Sequence, residues 1–146
     1  EARVGNVKRI GTYELPEWKM TFNCGTKWWS FANVKYTGYA KDKVVGVLYE
    51  LTPFQIFTLD RYEAVPDNYY KQYFTDKDGS IIFMYIATRW FQLGDNGITE
   101  GIPELQYVNI LLDGYLENGM IEQYNDLLDF KERNYKLKNN RNSRLL

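Results

Sequence analysis

The sequence contains no histidine, and this absence excludes several of the commonest enzyme mechanisms. Without an imidazole there is no Ser-His-Asp or Cys-His nucleophile and no histidine-bound metal. The single cysteine, Cys24, has no partner for an internal disulfide and no imidazole to activate it. We therefore expect a reducing, cytoplasmic setting, a packed thiol and no metal site.

Long apolar runs and an excess of one charge are lacking as well. No apolar stretch approaches the roughly 18–20 residues that a membrane span needs. The formal net charge of −1 provides no electrostatic attraction toward nucleic acid or an anionic membrane. Neither a GxGxxG nor a Walker-type phosphate loop occurs. These absences predict that neither nucleic acid nor membrane is a partner.

Apolar residues make up 45% of the 146 residues and aromatic residues 17%, which indicates one folded domain rather than disorder. Short runs rich in β-branched and aromatic residues predict strands over 18–23, 43–50, 69–75 and 80–88. Residues 76–79 between the last two predict a hairpin turn, with Gly79 supplying a positive φ. The apolar run 43–50 is typical of a strand covered on both faces, and Gly46 within it indicates a bulge or a close backbone approach.

Helix signals complete the pattern. Thr52, Pro53 and Gln55 form a capping-box start for a short helix, which must end before Val65-Pro66. Apolar spacing predicts helices over 104–118 and from 121 to about 132, with Gly119 ending the first of them. Strands followed by helices predict an α+β fold, with the sheet curled into a barrel. We assign residues 1–130 to the domain and 131–146 to a polar, basic helix end or tail.

The segment Leu-Asp-Arg-Tyr-Glu-Ala-Val-Pro at 59–66 holds the best candidate for chemistry. It places Glu63 just past the short helix, and carboxylates are the natural proton carriers in a chain without histidine. Tyr62, Tyr69 and Tyr70 supply aromatic walls and hydroxyl donors, which disfavour the charged form of a nearby carboxyl. The plain alternative is that Glu63 is a solvated surface group, as most glutamates are.

Several blocks, taken in order, resemble the γ-glutamylcyclotransferase-like proteins, also called AIG2-like. The segments 18–23 and 44–51 are similar to two of the family's strand motifs, and 32–34 is similar to its ANI segment. Leu59-Asp60 and Glu63 match its LDxxEG motif, with Tyr70 at the spacing of its tyrosine. Its C-terminal block is matched by Pro103, Tyr107, Gly114, residues 117–120 and Tyr124. The resemblance covers about residues 7–128.

This resemblance implies a small mixed β-barrel flanked by helices. It implies Glu63 as the acid/base, and Tyr70, Tyr107 and Tyr85 as substrate-binding residues. The implied reaction cleaves a γ-glutamyl amide to 5-oxoproline and a free amine or amino acid, without a metal or an organic cofactor. The implied partner is thus a small γ-glutamyl molecule.

Two departures from the family keep an alternative open. Ala64 replaces the glycine of the motif, which is a mild change if φ is negative there. The family's N-terminal YGSN or YGT loop has no counterpart, and we expect it upstream of Glu1. The alternative is a non-catalytic protein that binds a small molecule in the same pocket, and a weaker one is an interaction module that uses exposed aromatic residues. The sequence leaves the leaving group and the oligomeric state undetermined.

Overall fold

Runs of β-branched and aromatic residues in the first two-thirds of the chain form six strands, and the last third is helical. The computed structural model describes residues 4–26 and 28–145. Side chains are described up to residue 135, except the side chain of residue 96. The strands are β1 (Lys8–Pro16), β2 (Trp18–Gly25), β3 (Ser30–Tyr36), β4 (Lys43–Glu50), β5 (Tyr69–Thr75) and β6 (Ile81–Ala87). The helices are α1 (Pro53–Tyr62), α2 (Leu105–Glu117) and α3 (Ile121–Leu145).

The strands pair antiparallel as β1 with β4, β2 with β3, and β5 with β6. The α+β class is therefore confirmed. Within the described residues these pairs form three two-stranded sheets rather than one closed sheet, so the barrel stays a prediction.

The predicted capping box at the start of α1 is present. The hydroxyl of Thr52 accepts a hydrogen bond from the backbone N–H of Gln55 at 3.2 Å. The side chain of Gln55 accepts one from the backbone N–H of Thr52 at 2.9 Å, and Pro53 occupies the first turn. Two otherwise unpaired N–H groups are thus satisfied locally, which sets where α1 begins.

The hairpin of β5 and β6 also forms as predicted. Its turn closes because one carboxylate oxygen of Asp76 accepts the backbone N–H groups of Asp78 and Ser80, each at 2.9 Å. Gly79 supplies the positive φ of +81° that the turn requires. The register runs without a break from Tyr69 opposite Ala87 to the far end of the hairpin.

Two expectations about β4 are wrong. None of its residues is buried, so the described residues do not cover both faces of β4. Among them β4 is hydrogen-bonded to β1 only. Gly46 pairs in regular register with Tyr13, and a side chain at Gly46 would meet nothing within 4 Å. The irregularity in this sheet lies on β1, between Arg9 and Gly11. The strand predictions included neither β1 nor β3.

The chain divides into two units, Glu1–Gly101 and Ile102–Leu146. In the second, α2 ends as predicted at Gly119, whose φ is +68°. The N–H groups of Gly119 and Met120 donate to the carbonyls of Leu116 and Tyr115, the paired hydrogen bonds of a Schellman cap. Helix α3 continues past residue 132 to Leu145, and the domain boundary at residue 130 stays a prediction. No described helix is both long and apolar enough to cross a membrane.

A chain of buried amide groups joins three strands of the first unit. Asn33 on β3 is only 4% exposed; its Nδ2 donates to Oδ1 of Asn23 at 2.8 Å. Its Oδ1 accepts the backbone N–H of Ala87 on β6 at 2.9 Å. Asn23 in turn donates to the carbonyl of Gly97 at 3.1 Å. These hydrogen bonds tie β2, β3, β6 and the loop after β6 together without ladder pairing between β3 and β6.

We expect Asn33→Ala to lower the free energy of unfolding by about 2–4 kcal/mol, because it leaves the buried N–H of Ala87 and Oδ1 of Asn23 unpaired. Urea unfolding of both proteins measures the difference. The matched control is Asn68→Ala, whose half-buried side chain lies outside this network. Equal losses for the two variants would show that the network adds nothing specific.

Candidate active site

Helix α1 carries Glu63 at its C-terminal end. Glu63 is the C-cap residue, is half-buried, and donates its backbone N–H to the carbonyl of Leu59 at 2.9 Å. The next residue, Ala64, has φ of +48°, and the Val65-Pro66 peptide bond is cis. Because φ at Ala64 is positive, replacing the motif's glycine by alanine is not the mild change that a negative φ would have made it.

One turn before Glu63, the carboxylate of Asp60 is held by two donors from the hairpin. Tyr85 donates its hydroxyl to Oδ1 at 2.6 Å, and Lys71 donates from Nζ to Oδ2 at 2.8 Å. Lys71 and Tyr85 lie directly opposite each other in the register of β5 and β6, so their side chains leave the same face. Asp60 thus ties the last turn of α1 to the hairpin.

The charges of this cluster support one another. Burial disfavours the charge on Asp60, but hydrogen bonds from Lys71 and Tyr85 outweigh it and hold the pKa of that carboxyl below its ordinary value. The hydrogen bond to Asp60 raises the pKa of Lys71. Burial, the bond to Asp60 and the negative charges of Asp60 and Glu63 raise the pKa of Tyr85. Asp60 and Lys71 therefore form a fixed ion pair at neutral pH.

The only cysteine of the sequence, Cys24, lies on β2. Its thiol is fully buried, 3.5 Å from the hydroxyl of Tyr69 and 3.4 Å from the carbonyl oxygen of Phe31. Burial raises the pKa of the thiol, the bonds to Tyr69 and Phe31 oppose this, and the charge of Glu63 adds to it. A buried thiol with a raised pKa is a poor nucleophile, in agreement with the packed thiol expected from the sequence.

Aromatic rings close the side of the site next to Cys24. Phe91 meets the ring of Tyr69 edge-on, with centroids 5.3 Å apart, and stacks on Phe31 at 6.4 Å. The charge of Glu63 contributes to the raised pKa of both Cys24 and Tyr85. The arrangement combines one carboxylate with hydroxyl donors and an apolar wall.

The structure brings together some of the predicted site residues. Glu63 and Tyr85 interact, whereas Tyr70 pairs with Ile86 on the opposite face of the hairpin from Tyr85 and is 42% exposed. Tyr107 lies on α2, in the second unit. The substrate-binding roles of Tyr70, Tyr85 and Tyr107 stay predictions.

No role for Asp60 or Lys71 was predicted from the sequence. The position of Lys71 opposite Tyr85 follows from a strand register that only the structure gives. Among the described residues no three His, Cys, Asp or Glu side chains come close enough to hold a metal ion. The chemistry that the described residues support is proton transfer by a carboxylate, with hydroxyl groups as hydrogen-bond donors.

Comparison with solved structures identifies the fold. A crystal structure of an uncharacterized protein from Homo sapiens superposes with a TM-score of 0.65 and 20% sequence identity, over 86% of this chain and 76% of that one. A γ-glutamyl cyclotransferase superposes with a TM-score of 0.63 and 19% identity, over 86% and 75%. No protein-family model and no curated protein matches the sequence. The chain thus has the γ-glutamyl cyclotransferase-like fold, in agreement with the sequence resemblance, while the barrel that the resemblance implies stays a prediction.

We expect Ala64→Gly to raise the free energy of unfolding by up to about 1 kcal/mol, because glycine adopts a φ of +48° without the steric cost that alanine bears. Urea unfolding measures the change. Ala32→Gly, within strand β3, is the control and is expected to destabilise the protein by about 0.5–1 kcal/mol. If both variants lose stability alike, the turn at Ala64 is not strained.

The Asp60 ion pair predicts a dependence of stability on pH. Because the folded-state pKa of Asp60 lies below its unfolded value, its contribution is complete above about pH 4 and is lost as pH falls through the folded pKa. We expect Asp60→Asn to cost about 1–2 kcal/mol at pH 7 and progressively less toward pH 3, measured by urea unfolding. The exposed Asp67→Asn is the control, and a cost for Asp60→Asn that does not change with pH would contradict the assignment.

Proposed function

We propose that this protein is a cyclotransferase that cleaves a γ-glutamyl amide, with Glu63 as its acid/base. The observation that carries the proposal is the position of Glu63. Its half-buried carboxylate lies at the end of α1 and acts on Tyr85 and Cys24, in a chain that has a γ-glutamyl cyclotransferase-like fold. A partly enclosed carboxylate among hydroxyl and aromatic groups suits proton transfer near neutral pH.

In the proposed reaction the carboxylate of Glu63 takes a proton from the substrate's α-ammonium group. The freed amine attacks the γ-carbonyl carbon, and the new C–N bond closes a five-membered ring. The ring nitrogen loses its second proton to solvent, and the bond from that carbon to the leaving nitrogen breaks as Glu63 returns the first proton to the leaving nitrogen. The products are 5-oxoproline and a free amine or amino acid. Because the nucleophile belongs to the substrate, the protein supplies orientation and one base.

Asp60 supports the choice of Glu63 over the other carboxylate at this end of α1. Lys71 and Tyr85 hold both carboxylate oxygens of Asp60, and its lowered pKa makes it a weak base. In the proposal Asp60 fixes the last turn of α1, and Glu63 remains to exchange the proton. Tyr70, Tyr85 and Tyr107 are proposed to line the substrate's path, and neither a metal nor an organic cofactor takes part.

Two finer features belong to the same proposal. The three strand pairs are proposed to form a small mixed barrel flanked by helices, and the protein is proposed to act in the cytoplasm. A reducing compartment is consistent with a single cysteine, Cys24, whose thiol is buried and free.

A second candidate function is binding of the same small molecule without turnover. The observation that favours it is Ala64, which stands in the left-handed region where the family's motif has glycine. Alanine is strained in this region, and any shift of the turn that relieved the strain would alter the angle at which the carboxylate of Glu63 meets a substrate. Proton transfer depends strongly on such geometry.

We expect Glu63→Gln to reduce 5-oxoproline release from γ-glutamyl amides at least about 100-fold, because glutamine cannot exchange the proton. Its stability should stay within about 1 kcal/mol of the parent protein, since the substitution is nearly isosteric. Product release is measured by chromatography over a panel of γ-glutamyl amino acids and amines, and stability by thermal unfolding. Glu132→Gln, an exposed position on α3, is the matched control.

The same panel separates the two candidates. Saturable binding of a γ-glutamyl compound by calorimetry, without 5-oxoproline, would favour the binding protein over the enzyme. Loss of stability in Glu63→Gln as large as the loss of activity would instead make Glu63 a structural residue. Neither binding nor product for any member of the panel would refute both.

A further inference from the structure

A polar groove with a volume of about 470 Å³ lies on the first unit. Strands β2 and β3, the turn after β3 and the loop after β6 form its walls. None of its lining residues belongs to the cluster around Glu63. Small-molecule sites in proteins typically enclose about 300–1,000 Å³, so the groove has the size of a ligand site. Its charged and amide- or hydroxyl-bearing residues include Lys19, Thr21, Asn23, Lys35, Asp42 and Glu100.

Two lysines stand side by side in the groove. Lys19 on β2 and Lys35 on β3 are directly opposite in the strand register. Like charges in opposite positions of an antiparallel pair destabilise it. Neither lysine forms an ion pair with any residue in the described part of the chain. The ion pairs found there join other lysines to Glu50, Glu14 and Asp60. An anionic group bound between the two ammonium groups would offset their repulsion.

Neutral hydrogen-bonding groups lie beside the lysine pair. Thr21 is 6% exposed, and its Oγ1 finds no hydrogen-bond partner among the described residues. Leaving a buried hydroxyl unpaired is costly, so a ligand that offers this hydroxyl a hydrogen-bond partner would remove that cost. Asn23 uses one Nδ2 hydrogen for Gly97 and its Oδ1 for Asn33, which leaves its second Nδ2 hydrogen available.

The groove also holds negative charge. Asp42 and Glu100 line it, and neither forms an ion pair with Lys19 or Lys35. Two ammonium groups and two carboxylates that do not neutralise one another are suited to a ligand that carries both charges. A purely anionic ligand would meet the two carboxylates, and a purely cationic one would meet the two lysines.

We propose that this groove binds a zwitterionic molecule of the amino acid class. Lys19, Lys35 and the hydroxyl of Thr21 take its carboxylate, and Asp42 and Glu100 take its ammonium group. The volume accommodates a free amino acid or a short peptide. This site does not depend on the proposed function, because it uses different residues and requires no chemistry.

The test follows backbone amide NMR signals of the 146-residue protein during titration with L-alanine. Acetate and methylammonium, each carrying one of the two charges, are titrated in parallel. We expect shifts at residues lining the groove, with millimolar affinity for L-alanine and affinity at least about fivefold lower for either half-molecule, the loss of one exposed charge interaction.

Two variants connect binding to the named groups. The double variant Lys19→Gln and Lys35→Gln should abolish the shifts, whereas Lys77→Gln, in the β5–β6 turn, should leave them unchanged. Thr21→Val should weaken L-alanine binding while keeping or raising the melting temperature, because it removes an unpaired buried hydroxyl. If Thr21 has only a structural role, Thr21→Val should not weaken L-alanine binding while the melting temperature stays the same or rises.

Several results would overturn the proposal. Acetate binding as tightly as L-alanine would exclude a zwitterion site, and the same holds for methylammonium. An absence of shifts at groove residues up to saturating L-alanine would exclude the site altogether. Unchanged binding in the double lysine variant would show that Lys19 and Lys35 do not bind the ligand's carboxylate, whatever the effect of Thr21→Val.

Discussion

The carboxylate of Asp60 is the constraint on which the candidate active site depends. Helix α1 buries no residue of its own, so packing alone does not fix it. The 2.6 Å bond from Tyr85 and the 2.8 Å bond from Lys71 tie its last turn to the hairpin of β5 and β6. Charge-assisted bonds of this length are directional, so they hold the helix end, and with it Glu63, in a defined place.

Buried hydrogen bonds of Asn33 also hold strands of the first unit together. The side chain of Asn33 bridges from β3 to Asn23 on β2 and to the backbone of Ala87 on β6. Buried polar networks of this kind specify one arrangement only when every member is paired. Here the amide of Asn33 takes the role that a strand-to-strand ladder would otherwise take. Tyr69, which is opposite Ala87 in the strand register, has its hydroxyl 3.5 Å from the thiol of the buried Cys24.

In the described part of the chain, charged residues are paired in the cluster around Asp60 and unpaired in the groove. In the cluster, Lys71 and Asp60 neutralise each other, which leaves Glu63 as the carboxylate for proton exchange in the proposed reaction. In the groove, Lys19 and Lys35 face each other without a described carboxylate partner. A satisfied ion pair fixes structure, whereas unsatisfied charges of both signs favour a ligand that satisfies them.

The sequence by itself determined the local features, because their causes lie within a few residues. The capping box at Thr52, the hairpin turn at Gly79 and the helix end at Gly119 are each set by neighbouring side chains or by a required φ. Its motif also predicted Glu63 as the acid/base, which stays a proposal. Only the tertiary structure decided that Tyr70 faces away from Tyr85 and that Lys71 and Tyr85 hold Asp60. Those contacts depend on strand register and on residues 11 and 25 positions apart, which no local pattern encodes.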